Sequence, residues 1–478
     1  MPASSRSWPR RPELLLLTAC AALTRFWGLF SPHAVVFDEV HYEKYVADYL
    51  ARVFYVDVHP PLANQIFALA AKLFGVPIAT LAGPHPAPVL RVVPALAGTL
   101  IIPVFYVLLR RLGASRRLAT LGGALLLLDN ALLVESRVLV PDSMLVLFGL
   151  SAVTVFLGAR RCTGRARLWR LAATAALAGL AVTMKWTGLS ALGLIGVIWL
   201  YDAWRARGGW RRTVWEGAVL VAIPVAIYTS VFAVHFAWMD RSGPGNMFMS
   251  GPFKATLIGS PNYRADARLS FADKFLELNV AMRQEDAALV GVSNSSASPW
   301  YSWPLIQHAI TFWAGPVLPD GRRATIFLEG NPVVWYGIPV ALLLGGIGLA
   351  RRRARARAWR EPLIILGAAY LFNFLPFVLI HRLMYQYSYF MAFVYSLGLA
   401  VIAVGAWAGE LEPRVAPPDG AATAAGSWRF PRGPRAAIYY GILIAALAGF
   451  VWFAPVTYGW PLSPQAFRAR FALVERHF

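Results

Sequence analysis

Apolar runs of roughly 17–25 residues recur along this chain, and each is long enough to cross a hydrocarbon layer of about 30 Å as a helix. That repetition decides the solvent: most of the protein is built for lipid. The 478 residues are 58% hydrophobic and only 14% charged, with a mean hydropathy of +0.53, whereas soluble domains carry about 25% charged residues. Candidate spans fall at 14–30, 90–109, 118–134, 140–158, 171–184, 188–203, 214–236, 334–350, 362–380, 386–407 and 437–453. They predict an all-α polytopic membrane protein with about eleven transmembrane helices.

A net charge of +21 would point to nucleic acid in a soluble protein, because clustered Lys and Arg neutralise phosphates. Here the location of the charge decides otherwise. Basic clusters at Arg6/Arg10/Arg11, Arg110–Arg117, Arg160–Arg170, Arg205–Arg212, Arg351–Arg360 and Arg414–Arg435 hold more than half of the 45 Lys and Arg. Threading the spans in order puts all six on one side, as the positive-inside rule asks of the cytoplasmic face. The N-terminus is then cytoplasmic and the C-terminus external. Membrane lipid is the expected surrounding, and no nucleic acid.

The first apolar run follows a basic stretch, as in a signal peptide. Phe26 and Trp27 stand where a cleavage site needs small residues, so the run reads as a retained span. Cys20 and Cys162 cannot build a disulfide framework. The stretch 412–436, rich in Pro, Gly, Ala and Arg, reads as a flexible cytoplasmic connection.

The other side receives the long connections 31–89 and 237–333 and the tail 454–478, all belonging to a single membrane domain, 1–478. All eight histidines fall there or at its boundary: His33, His41, His59, His85, His235, His308, His381 and His477. Such a gathering points to chemistry on that face, although histidines also collect in loops without a catalytic reason. Val40–Arg52 reads as an amphipathic helix, and 62–76 is apolar but too short to span. Both are expected to lie in the membrane interface.

Asp38 and Glu39 come directly after the first span. Carboxylates near the hydrocarbon boundary are costly and are functional candidates by default. Glycosyl transfer with inversion needs one carboxylate to take the acceptor's proton as its hydroxyl attacks the anomeric carbon. A sugar on phosphate already has a good leaving group, so one base suffices. The plainer alternative for Asp38 is an N-cap of the helix that follows. Arg91, Arg137, Lys185 and Arg382 stand at external span ends. There they either hydrogen-bond a phosphate, bidentately in the case of arginine, or snorkel to water as anchors. His59, His41 and Asp57 match no standard zinc spacing, so neither a metal nor a cofactor is expected. Trp300-Tyr301-Ser302-Trp303 and Trp335-Tyr336 either stack on substrate or join the interfacial aromatic belt.

The run FDEVHYEKYVADYLARVFYVDVHPPL resembles the first-loop motif of the protein O-mannosyltransferases. Further resemblances follow in the family's order: LRVVPALAGTLIIPV, ESRVLVPDSML, MKWTGL, SPWYSWPL, EGNPVVWYG and HRLMYQYSYF, covering about residues 35–395. The resemblance implies a GT-C type glycosyltransferase with interfacial helices in its first external loop. It would move mannose, with inversion, from a polyprenyl-phosphate-mannose donor to Ser/Thr hydroxyls of secreted or membrane proteins. It implies Asp38 as catalytic base with Glu39 positioning donor or acceptor, and Arg91, Arg382, Arg137 and Lys185 on the donor phosphate. His59, Asp142, Trp303 and Asn331 would bind substrate. The family's late histidine is Ser388 here, and the proline after it is Met391. The connection 237–333 has no room for the MIR domain that eukaryotic members insert, which points to the bacterial branch and an inner membrane. A lipid acceptor, as in the lipid A aminoarabinose transferases, is the alternative within the superfamily. Those enzymes lack the DVHPPL, SWP and GNP elements in this order. A transporter would show internal repeats and mid-membrane polar breaks.

Overall fold

Eight helices among the described residues are long and apolar enough to cross a bilayer: Pro88–Arg111, Asp142–Ala159, Trp186–Ala206, Trp210–Trp238, Pro332–Arg351, Arg360–Leu379, Gln386–Ala408 and Ala436–Tyr458. The computed structural model describes residues 12–81, 83, 86–206, 209–291, 294–306, 308–411 and 434–471. Outside them lie the Arg6/Arg10/Arg11 cluster, His85, His477 and almost all of the 412–436 connection, with Arg414, Arg429 and Arg432.

The other three expected spans take different forms. Pro12–Phe26 is a helix of 15 residues. Gly164–Met184 has 21 residues but carries Arg165, Arg167 and Arg170 in its first two turns. The stretch 118–134, expected as one span, is two helices, Arg116–Leu127 and Asn130–Glu135. Asp129 is the reason. Its carboxylate accepts from the Leu132 N–H at 2.8 Å, starting a new helix as an N-cap. It also accepts from the Asn331 N–H at 3.1 Å and from Trp335 Nε1 at 2.7 Å. A fully buried carboxylate needs such partners, and together they hold the break in place.

The helices at the centre are Asp142–Ala159 and Gln386–Ala408, whose apolar windows are 78% and 83% buried; Trp210–Trp238 and Ala436–Tyr458, at 22% and 11%, form the periphery. Small residues bring the backbones together. A Cβ on Gly179 would sit 2.9 Å from Pro224 Cα, where Gly164–Met184 meets Trp210–Trp238. Near the Arg110–Arg117 cluster, Glu13 ties the first helix to its neighbours. It accepts from Arg116 Nε and Nη2 at 2.8 and 2.7 Å and from the Tyr106 hydroxyl at 2.7 Å.

In the first long connection both expected non-spanning helices are present, as Glu39–Ala51 and Leu62–Leu73. The second contains the helix Phe271–Ala288 and an antiparallel hairpin, β1 (Ile310–Val317) with β2 (Arg323–Leu328). The register pairs Ile310 with Leu328 and Val317 with Arg323. The fold is the expected α-helical membrane architecture, with this one small hairpin added in the second long connection. The turn holds Asp320-Gly321, and Gly321 adopts φ +77, a conformation open to glycine without strain.

Candidate active site

Most of the expected site residues gather at the end of the bundle opposite the basic clusters, where three segments distant in sequence meet. Phe37, at φ +52, leads the chain into the helix Glu39–Ala51. A bulky residue in this region costs of order 1–3 kcal/mol and persists only where its surroundings hold it. Here its N–H donates to the Phe312 carbonyl of β1 at 2.9 Å, and its ring stacks on Phe312 at 4.2 Å. Tyr385 and Tyr387 meet the same ring edge-on at 6.3 and 5.9 Å.

Asp38 therefore has an imposed position. It occupies the N-cap of the helix, yet its side chain makes no capping hydrogen bond, so the plainer alternative for it fails. Its carboxyl is half-buried and faces His41, Lys185 and Asp142. Burial raises its pKa above the ordinary aspartate value, with Asp142 adding to the rise while His41 and Lys185 oppose it.

Glu39, one residue on, is closed in. Its Oε1 accepts from Arg91 Nε at 2.7 Å and from the Leu139 N–H at 3.0 Å; its Oε2 accepts from Arg91 Nη2 at 2.7 Å and from the Val36 N–H at 2.8 Å. The remaining Arg91 donors reach the carbonyls of Pro32 at 3.0 Å, Ala34 at 2.8 Å and Leu29 at 3.5 Å. Both side chains are 2% exposed. Arg91, expected on the donor phosphate, is instead fully engaged within the protein.

Arg137 is engaged in the same way. Its Nη1 donates to the carbonyls of Arg25 and Trp27 at 2.8 and 2.7 Å, and its Nη2 to Gly28 at 3.0 Å. It closes the C-terminal end of the first helix, where cations and donors are favoured, and lies over the Tyr458 ring at 4.7 Å. Lys185 and Asp142 form a pair, Nζ to Oδ1 and Oδ2 at 2.9 and 2.7 Å. Asp142 opens its helix and Lys185 caps the C-terminus of Gly164–Met184, so each charge suits its helix dipole. Lys185 also lies over the Tyr387 ring at 5.4 Å. Arg382 forms an ion pair with Asp286, Nε to Oδ1 at 2.6 Å, and donates from Nη1 to the Leu383 carbonyl at 3.2 Å. Its Nη2 makes no hydrogen bond among the described residues.

His59 stands near Lys185 and Arg382. Burial first, then those two cations, hold its pKa well below the usual imidazole range, so it is a neutral imidazole. Asp57 accepts from Asn64 Nδ2 at 2.9 Å and the His59 N–H at 3.2 Å, and burial pushes it up to about 6. The two remaining expectations are not brought to this cluster. Trp303 is a core residue, 1% exposed, donating to Ser298 Oγ at 2.9 Å and packed edge-on against Phe377. Asn331 caps the helix Pro332–Arg351 and donates to the carbonyls of Leu128 and Ala446 at 2.9 and 2.8 Å.

The sequence reading passed over Glu135, Tyr42 and Tyr387, all within electrostatic reach of Asp38 and Asp142. Glu135 is the first residue of ESRVLVPDSML and Tyr387 lies in HRLMYQYSYF. The motifs therefore carry a signal for both. Chemically, the cluster offers the uncapped Asp38 carboxyl, and a deeper Glu135 whose Oε2 has no hydrogen-bond partner among the described residues, beside an ammonium and a guanidinium that can meet a phosphate.

Two family models match the chain. One, described as dolichyl-phosphate-mannose-protein mannosyltransferase, matches residues 15–239; the other, the C-terminal four TMM region of protein-O-mannosyltransferase, matches 271–475. Protein O-mannosyltransferase 1 of Drosophila pseudoobscura pseudoobscura is 37% identical over 264 residues, 52% of this chain and 29% of that protein. Dolichyl-phosphate-mannose–protein mannosyltransferase 4 of Candida albicans is 31% identical over 284 residues, 53% of this chain and 37% of that protein. The chain thus spans about a third of the length of these curated relatives. The S. cerevisiae Pmt1-Pmt2 complex bound to the sugar donor gives a TM-score of 0.83 at 17% identity, over 99% of this chain and 94% of that one. ArnT from Cupriavidus metallidurans bound to undecaprenyl phosphate gives 0.51 at 18% identity, over 83% and 62%. At those identities the likeness speaks to fold, which is the GT-C type.

Proposed function

We propose that this chain, which belongs to the protein O-mannosyltransferase family, transfers mannose with inversion from a polyprenyl-phosphate-mannose donor to Ser/Thr hydroxyls of secreted or membrane proteins. The observation that carries this reading is the Asp38 carboxyl, uncapped and half-buried beside the Lys185–Asp142 pair.

In this reading Asp38 takes the proton of the acceptor hydroxyl as its oxygen attacks the anomeric carbon. A carbon–oxygen bond forms there, the bond to the phosphate oxygen breaks, and the lipid phosphate leaves with the electron pair. Charge grows on that phosphate, and Arg382 Nη2 and the Lys185 ammonium are the cations available to it. Glu39 and Arg91 are positioning residues: their closed pair fixes the start of the helix that carries Asp38. A neutral His59 can hydrogen-bond a sugar hydroxyl without adding charge. The basic clusters at the opposite helix ends support a cytoplasmic N-terminus and an external C-terminus, and the proposal sets the chain in a bacterial inner membrane. That puts Asp38 on the side where exported proteins arrive.

The test gives purified protein a labelled polyprenyl-phosphate mannose and a Ser/Thr-rich peptide. Expected is a mannose-sized mass gain on the peptide, at a hydroxyl, with the α/β configuration opposite to the donor's. Transfer to a co-supplied lipid acceptor, with the peptide untouched, would replace this reading with the lipid-acceptor alternative.

A further inference from the structure

A second charged compartment lies at the other end of the same helices. A cavity of about 1370 Å³ opens among Asp142–Ala159, Leu189–Ala206, Trp210–Trp238 and Arg360–Phe374, at the ends that carry the basic clusters. The helix Asp142–Ala159 starts at the Asp142–Lys185 pair and finishes beside this cavity. Its 18 residues, at about 1.5 Å each, separate the two by about 27 Å. The cavity is thus no part of the Asp38 site.

Its lining has two characters. Leu157, Leu194, Val197, Ile198, Ile364 and Ile365 form an apolar wall. Val197 and Ile364 are 52% and 54% exposed on spanning helices, so this wall continues onto the lipid-facing surface. Against it stand eight arginines and three carboxylates. The carboxylates are already taken. Arg160 holds Asp202 at 2.6 Å and Glu361 at 2.7 Å, while Arg167 and Arg212 share Glu216 at 2.6 and 2.9 Å. Among the described residues, no carboxylate pairs with Arg111, Arg161, Arg205, Arg357 or Arg360. Two of these are pressed together, with Arg161 Nη2 donating to the Arg111 carbonyl at 2.5 Å.

Arginines that merely obey the positive-inside rule sit in water and need no walls. Here unpaired guanidiniums border a space closed on the other side by hydrocarbon, the complement of a phosphate with acyl chains attached. Basic pockets between spanning helices on the cytoplasmic side hold anionic lipid head groups in this way, through charge-assisted and often bidentate bonds. We propose that this cavity is a binding site for an anionic phospholipid of the leaflet on the arginine-rich side. Its phosphate contacts Arg161, Arg357 and Arg360, and its chains lie along the Val197–Ile364 wall. The lipid would join helices that otherwise meet with like charges facing.

The test reconstitutes the full chain into nanodiscs of phosphatidylcholine with a minority of phosphatidylglycerol, then counts lipids retained on the protein by native mass spectrometry. Wild type is expected to retain phosphatidylglycerol well above its bilayer share, and added phosphatidylglycerol should raise its melting temperature. Arg161→Gln/Arg357→Gln/Arg360→Gln changes three exposed residues with no carboxylate partner, so the fold should survive. Its retention of phosphatidylglycerol should fall by on the order of tenfold or more. Equal retention of phosphatidylcholine, unchanged retention in the triple variant, or full displacement by inorganic phosphate would each overturn the proposal. The readout is lipid occupancy, so it stands or falls apart from mannosyl transfer.

Discussion

Asp38 and Glu39 are neighbours in sequence, carry the same functional group and sit at the same end of the bundle, yet they occupy opposite kinds of region. Around Glu39 every acceptor has a donor: two from Arg91 and two from the backbone. Around Asp38 the charges are close but the carboxyl makes no cap, and the Lys185 ammonium it faces is shared with Asp142. A charge at a membrane boundary is therefore not in itself a site. A buried ion pair whose valences are all filled specifies a shape, whereas a carboxyl with valence left over can accept a proton. The first makes the second possible, because it fixes the backbone from which Asp38 projects.

The comparison breaks most visibly at Arg91. Removing one member of a buried pair costs about 3–5 kcal/mol, because the other is left unpaired. Arg91→Ala should lower the melting temperature strongly and take activity with it. Arg91→Lys should do the same more mildly, with apparent donor affinity unchanged in the protein that remains folded. A raised donor KM at an unchanged melting temperature would instead return Arg91 to the phosphate.

Arg382 tests the open region. Its Asp286 partner is 38% exposed, so the pair contributes little to stability. Arg382→Lys keeps a charge but loses the planar fork. Turnover should fall about tenfold to a hundredfold, the value of one or two charged hydrogen bonds, with the melting temperature nearly constant. If turnover is unchanged, Lys185 is left as the phosphate's cation.

The smallest effect is expected at Glu43, on the same helix as Glu39. Burial pushes its pKa up to about 7, opposed by the Ala87 N–H that donates to Oε1 at 2.7 Å. A raised folded value means that the protonated form is the stabilising one. Its contribution is complete below the ordinary Glu value of 4.5 and is lost as pH rises through about 7. Glu43→Gln keeps the acceptor without the titration. It should melt like wild type in mild acid and above it at alkaline pH; parallel curves throughout would show that Glu43 is solvated.

The spans were legible because length and hydropathy are properties of one segment, and the Asp-Glu pair was legible because it follows a span. What stayed hidden depends on partners far away. The break after Leu128 needs Asn331 and Trp335, about 200 positions on. The engagement of Arg91 needs carbonyls of the loop 29–34, and that of Arg137 needs the end of the first helix. Residue type announces a cation at the boundary; only the fold says whether its donors are already taken. Trp303 and Asn331 illustrate the same limit, since a motif marks a position that matters without saying whether it matters for packing or for substrate. The hairpin β1–β2 carries a local signal of its own, the Asp320-Gly321 turn between β-branched and aromatic residues.

The central claim is that Asp38, and not Glu39, accepts the proton. Single-turnover transfer with Asp38→Asn, alongside melting temperature and donor binding, tests it most directly. The amide keeps the shape and removes the base, and a positioned base is typically worth about 10²–10⁴-fold in rate. The account predicts a loss of that size with stability and donor binding intact. In wild type the rate should fall on acidification at a pH above the ordinary aspartate range, because burial raises the Asp38 pKa and only the ionised carboxylate can take a proton. Activity within a few-fold of wild type, or an unaltered acid limb in Asp38→Asn, would contradict it and move the base to another carboxylate of the cluster.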